Sequence, residues 1–194
     1  MRWAGLLPLV LFTGCAVTLP FTHRLSYDVV GSAKAMRAGA VGPITLAWDP
    51  ASFPKRIDTQ GASGFVGVAS QTRIPTGVAL ASRIAEALDV TVGVAANAPR
   101  TLTIKVLSAQ SKFQYSAGIF NITPALDYGE CTFEAEFRYG DLTWSGKYTA
   151  KSKDKSIGGK STTAVLEKVW DDVTLQVLKD VLDHLAPAAP AKAE

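Results

Sequence analysis

CTFEAEFRYGDLTWSGKYTAK, residues 131–151, reads as two strands on either side of Gly140-Asp141. Cys131, Phe133, Ala135, Phe137 and Tyr139 alternate with Thr132, Glu134, Glu136 and Arg138, the period of a strand with one buried face and one wet face. A second run, Leu142 to Lys151, begins after only the Gly-Asp pair. A parallel crossover needs about a dozen residues or more, so the two runs form an antiparallel hairpin. Glu134, Glu136 and Arg138 then belong to a solvated sheet surface rather than to a catalytic carboxylate pair.

Working outward, Leu102, Ile104 and Val106 alternate with Thr101, Thr103 and Lys105 and predict another strand after a turn at Asn97 and Pro99. Pro43 to Trp48 reads as a first strand and Gly64 to Ser70 as a second, glycine-containing one. Leu80, Ile84 and Leu88, joined by Ala81 and Ala85, predict a helix over Thr76 to Leu88. Leu166, Val169, Trp170, Val173, Val177, Val181 and Leu185 recur every three or four residues and predict a helix from about Ser161 to Leu185, with Ser161 or Thr162 as its cap. Gly118 to Asp127 is expected to be a loop. Strands grouped around two helices give an α+β two-layer sandwich, with a mainly antiparallel sheet and both helices on one face.

The chain opens MRWAGLLPLVLFTGC, with Arg2 ahead of a short apolar run, Leu6 to Phe12, then Thr13, Gly14 and Cys15. The run is too short for a bilayer core of about 30 Å and reads as an export signal. The small residues before Cys15 resemble a bacterial lipobox, which implies that residues 1–14 are removed and that Cys15 carries a diacylglycerol. By the same resemblance, Ala16 rather than an aspartate after the cysteine favours the periplasmic face of the outer membrane. Residues 15–42 mix polar and small residues without a sustained period and are expected to be the lipidated cysteine and its tether, although a short strand near Leu25 to Val30 fits too. Residues 43–186 would be the periplasmic domain, and the Pro- and Ala-rich residues 187–194 a disordered tail.

The net charge is only +3, spread along the chain, which excludes a nucleic-acid footprint. With Cys15 acylated, Cys131 is the one remaining thiol of two cysteines, so packing must hold the fold, and its place among alternating core residues makes it an inert thiol. Gly158-Gly159-Lys160-Ser161-Thr162 imitates the end of a phosphate-binding loop, but Asp154 stands where the first glycine belongs and no apolar strand precedes it. His23 and His184 join no triad or metal set, and His184 suits the C-terminal end of the last helix. A Ser152–Lys155 dyad would need a desolvated lysine, and its segment is polar. No cofactor or metal is expected. Phe113, Tyr115, Ile119, Phe120 and Tyr128, with Ile122, form an aromatic and aliphatic stretch that could dock a partner or a lipid, or fold over the sheet edge.

The succession of signal, lipobox, strands, helix, strand, long loop, hairpin and terminal helix resembles the YajG-type bacterial lipoproteins, most visibly in RTLTIKVLSAQSKFQY (100–115), WSGKYTAKSK (144–153) and STTAVLEKVWDDVTLQVLKDVL (161–182). More broadly it is similar to small α+β auxiliary lipoproteins of envelope transport systems. The resemblance implies an anchored periplasmic module without known catalytic residues, and only Cys15 carries over as a functional position. The expected function is a non-enzymatic binding or assembly module with the membrane and another envelope protein as partners. The alternatives are a carrier or sensor of an apolar ligand and, with least support, an envelope hydrolase.

Overall fold

The computed structural model describes residues 17–18, 21–36, 42–52, 57–60, 71–114, 126–155 and 162–185. Its centre is the expected hairpin. β6 (Leu126–Tyr139) and β7 (Leu142–Lys155) pair antiparallel over their whole length, from Leu126↔Lys155 to Tyr139↔Leu142. Gly140 closes the turn at φ 59°, a left-handed conformation that an L side chain seldom adopts.

β5 (Thr101–Gln114) pairs antiparallel with the other side of β6 and runs eight residues beyond Val106, where the sequence pattern stops. The cause is a register irregularity between Val106 and Ser108. Leu107, 54% exposed, is the extra residue, and it shifts the phase so that Ala109 and Ser111 become the buried positions. β2 (Thr45–Trp48) completes the sheet, parallel to β5, in the order β2-β5-β6-β7. A second small sheet consists of β1 (Val17–Thr18), β4 (Gln71–Ile74) and β3 (Ile57–Gln60), with β1 parallel and β3 antiparallel to β4.

α2 (Thr76–Val92) and α3 (Thr162–Leu185) lie on the apolar face of the large sheet. Between the layers Trp170, Phe133, Phe137, Leu102, Ile104 and Leu166 are fully buried. Gly129 lets the first turns of α3 approach β6, because a Cβ there would stand 2.9 Å from Val165 Cγ1. The architecture is therefore the expected α+β sandwich, with a parallel edge pair and a third helix in addition. On the open face of the sheet Glu130 pairs with Lys151 at 3.5 Å, Glu134 with Lys147 and Glu136 with Lys105 at 3.9 Å. Such exposed, solvent-screened cross-strand pairs add little to stability and make a solvated surface.

The tether expected over residues 15–42 is corrected by the structure. Phe21, Leu25 and Ala33 belong to the core, and Tyr27–Ala35 is a helix, α1, rather than a strand. Only Ala33 of α1 is buried, so the sequence lacked a visible stripe, and burial against α2 and α3 rather than amphipathic pattern holds it. The domain begins well before Pro43. The strand expected at Gly64 to Ser70, the signal and the tail lie outside the described residues.

Candidate functional site

Cys15 lies outside the described residues, two positions before β1. Of the aromatic stretch, Tyr115, Ile119 and Phe120 also lie outside them, while Phe113 and Tyr128 are both half-buried. Phe113 stands opposite Gly129 on the helix-covered face and packs on the core. Tyr128, one register step away opposite Gln114, therefore points to the open face. The strand period thus separates the two, and they do not form one docking surface. The Tyr128 hydroxyl donates to Glu130 Oε2 at 2.9 Å, and Lys153 Nζ stands 5.9 Å from its ring centroid.

The candidates for covalent chemistry are equally separated. Cys131 is fully buried opposite Ser111 and Ala150, and desolvation pushes its thiol up to about 12, the range of an unreactive sulfur. Ser152 faces Gly129 and Lys155 faces Leu126, three residues apart on one strand and so on opposite faces. His184 Nδ1 sits 2.8 Å from the Asp180 carbonyl oxygen in the last turn of α3, and its ring stacks on Trp144 at 4.3 Å. Asp180 Oδ2 accepts from Trp144 Nε1 at 2.9 Å and from the Tyr148 hydroxyl at 2.6 Å. Burial, reinforced by Asp180, raises the Tyr148 phenol well above its ordinary range. Asp180→Ala leaves a buried tyrosine and a half-buried tryptophan donor without their acceptor and is expected to cost about 1–3 kcal/mol, read as a lower urea midpoint with an unchanged slope. Among the described residues no three His, Cys, Asp or Glu side chains gather to hold a metal, and no helix is long and apolar enough to cross a membrane.

The most elaborate polar arrangement receives the segment that follows Cys15. Arg83, 1% exposed on α2, donates through Nη2 to the Thr22 carbonyl at 2.8 Å and through Nη1 to the Arg24 carbonyl. The same Nη1 lies 3.3 Å from Asp171 Oδ1 on α3, and the guanidinium stands 5.6 Å from the Trp170 ring centroid. Phe21 packs on the Trp170 ring at 4.9 Å. Trp170 Nε1 in turn donates to Ser111 Oγ at 2.9 Å, which also accepts from Thr76 Oγ1 at 2.8 Å. Glu167 Oε1 receives the Thr22 amide at 2.7 Å. Burial lowers the Arg83 guanidinium, against the pull of Asp171, Glu167 and Glu86, and burial raises the Asp171 carboxyl, against Arg83 and Ser26. Desolvation is thus the largest influence on both partners, so the pair costs energy to bury, and while both terminal guanidinium nitrogens bond to backbone carbonyls, Arg83 Nε and Asp171 Oδ1 have no hydrogen-bond partner among the described residues.

Arg83 was legible only as a charge three residues after Leu80 in an otherwise apolar stripe, and its partners are remote in sequence.

Glu86 finishes the clamp, accepting the Leu25 amide at 2.9 Å and pairing with Arg24 at 3.0 Å. Burial by itself would raise its carboxyl, but the Leu25 amide, Arg24 and Arg83 together hold it below the ordinary glutamate value of 4.5. A depressed folded-state carboxyl stabilises fully above the unfolded value and stops doing so as pH falls through the folded one. Wild type is therefore expected to exceed Glu86→Gln in stability at pH 7, and the gap should close as pH falls below about 4.5, checked by denaturation midpoints across pH.

A cavity of about 600 Å³ opens between the start of α1, the end of β7 and α3, lined by Ser26, Asp28, Lys153, Asp154, Lys168 and Asp172 among others. Its charges are of both signs and single out no ligand class.

No family model matches the chain, and no curated protein matches it. Among solved structures it is similar to a minor lipoprotein from Acinetobacter baumannii, at 13% identity over 78% of this chain and 98% of that one, with a TM-score of 0.45. It is also similar to a protein described only as uncharacterized (12% identity, 87% and 99% of the two chains, TM-score 0.42). A third is a Xanthomonas campestris protein of the DUF330 family (14% identity, 87% and 92%, TM-score 0.40).

Proposed function

We propose that the chain is a bacterial envelope lipoprotein, exported through residues 1–14, acylated at Cys15, and acting as a non-enzymatic binding or assembly module on the periplasmic face of the outer membrane. The observation that carries this reading is the use made of the buried ion pair. Arg83 holds the backbone of Thr22 and Arg24, so the chain is fixed to the domain seven to nine residues beyond the proposed anchor cysteine. The order of Arg2, an apolar run, small residues and Cys15 supports the same reading, as does the succession of elements that resembles the YajG-type lipoproteins. Several acyl chains at about 0.8 kcal/mol per buried methylene make such an anchor effectively permanent. The partner is then another envelope protein that works within reach of a membrane-bound domain.

Intact mass of the protein purified from a bacterial envelope tests the anchor. A diacyl or triacyl mass that disappears in Cys15→Ala is expected. An unacylated mature mass in wild type would remove the anchor and, with it, the envelope-module reading.

A further inference from the structure

We infer that the end of the sheet carrying Leu126, Tyr128, Lys153 and Lys155 is seated on the lipid bilayer, with the Gly140-Asp141 turn at the far end pointing away from it. This rests on the Cys15 anchor and adds which surface meets the membrane. β1 begins two residues after Cys15, so the Cys15 Cα lies within about 7 Å of the Val17 Cα along the chain. Phe21, already in the core, is six residues from Cys15, a reach of at most about 20 Å. A 28-residue tether would have allowed roughly 95 Å and any orientation. The short leash removes that freedom.

Three contacts locate the leash. β1 pairs with β4, which runs through Pro75 straight into α2, and Thr76 at the start of α2 bonds Ser111 near the end of β5. Phe21 and Thr22 meet Trp170 and Glu167 in the first half of α3. The first turns of α3 lie on Gly129, near the start of β6. The first two contacts, with α3 oriented by the third, place the leash toward the end where β5 finishes, β6 begins and β7 finishes.

The side chains at that end suit the bilayer interface. Leu126 is 45% exposed opposite Lys155, and Tyr128 stands opposite Lys153, all four on the open face. Gln114, Leu126, Tyr128 and Lys153 line a cavity of about 340 Å³ there. A tyrosine with a polar tip, an exposed leucine and two lysines with long apolar stems are residues that rest among headgroups. Glu130 is taken by Tyr128 and Lys151, and Asp154 occupies the other face of its strand.

The test couples a maleimide phospholipid to Cys15 of the mature chain, 15–194, and binds the product to phosphatidylethanolamine–phosphatidylglycerol vesicles with nitroxide-labelled headgroups. Buried Cys131 does not compete for the reagent. A fluorescent coumarin amino acid replaces Leu126 or Leu142, which lie at opposite ends of the hairpin, ~43 Å apart along β6. Quenching at 126 at least fivefold that at 142 is expected; equal quenching, or stronger quenching at 142, overturns the proposal. Lys155 and Asp141 provide a second pair of positions if either leucine replacement unfolds the protein. Because the lipid is attached chemically, an unacylated Cys15 in native material would sink the anchor reading without deciding the seating result.

Discussion

Arg83→Met is expected to lower the unfolding free energy by about 3–5 kcal/mol at neutral pH, the cost of breaking a buried pair from one side. Methionine preserves the length of the side chain but leaves the Asp171 carboxylate buried without its cation and the Thr22 and Arg24 carbonyls without donors. The defect should shrink as pH falls. Asp171 is already raised by desolvation, and removing Arg83 raises it further, so acid neutralises the orphaned charge before it protonates ordinary carboxylates. A raised folded-state carboxyl favours the folded protein below its unfolded value and loses that benefit as pH rises through the folded one, so the penalty is complete only above the raised value. Urea midpoints of wild type and variant between pH 4 and 8 measure it. The Arg83→Met, Asp171→Leu double variant should recover much of the loss, because replacing both charges removes the burial cost as well as the attraction. A single variant within about 0.5 kcal/mol of wild type would mean that the clamp is not structural.

Trp170→Ala is expected to cost a further large amount, about 3–5 kcal/mol alone, by opening a cavity at the centre of the fold. The void would adjoin Phe21, Ser111 and Arg83, so three separate parts of the chain lose a common wall. Ser111 keeps its Thr76 donor, so the loss is one of packing more than of polar satisfaction. Because Trp170 and Arg83 touch, their effects should not add, and a double-mutant cycle is expected to show a coupling of about 0.5–3 kcal/mol. In both variants amide exchange at Thr22 and Leu25 should accelerate more than exchange in β6, since those amides depend on Glu167 and Glu86. Uniform acceleration would place the damage in the whole core.

The hairpin at 131–151 was legible because its apolar alternation is unbroken and its turn too short for anything but an antiparallel return. β5 was legible only to Val106, since the bulge at Leu107 reverses the phase and makes Ala109 and Ser111 look like surface residues. α2 continues to Val92, past the last periodic leucine, and stops at Gly93 with φ 85°. α1 was hidden because one buried alanine makes no stripe. Cys15 stands out in the sequence because the expected export signal is a local, linear pattern, and it lies outside the described residues. The clamp does not stand out, because Thr22 and Glu167 are 145 residues apart and no local rule joins them.

That separation sets an order of events during biogenesis. A chain is made from its N-terminus, so Phe21 and Thr22 emerge while Glu167 and Trp170 have yet to be synthesised. The N-terminal segment has no docking place until almost the whole polypeptide is made, and closing so long a loop comes late and slowly. The clamp is therefore among the last contacts to form, and the final closure of the fold waits on the C-terminal helix.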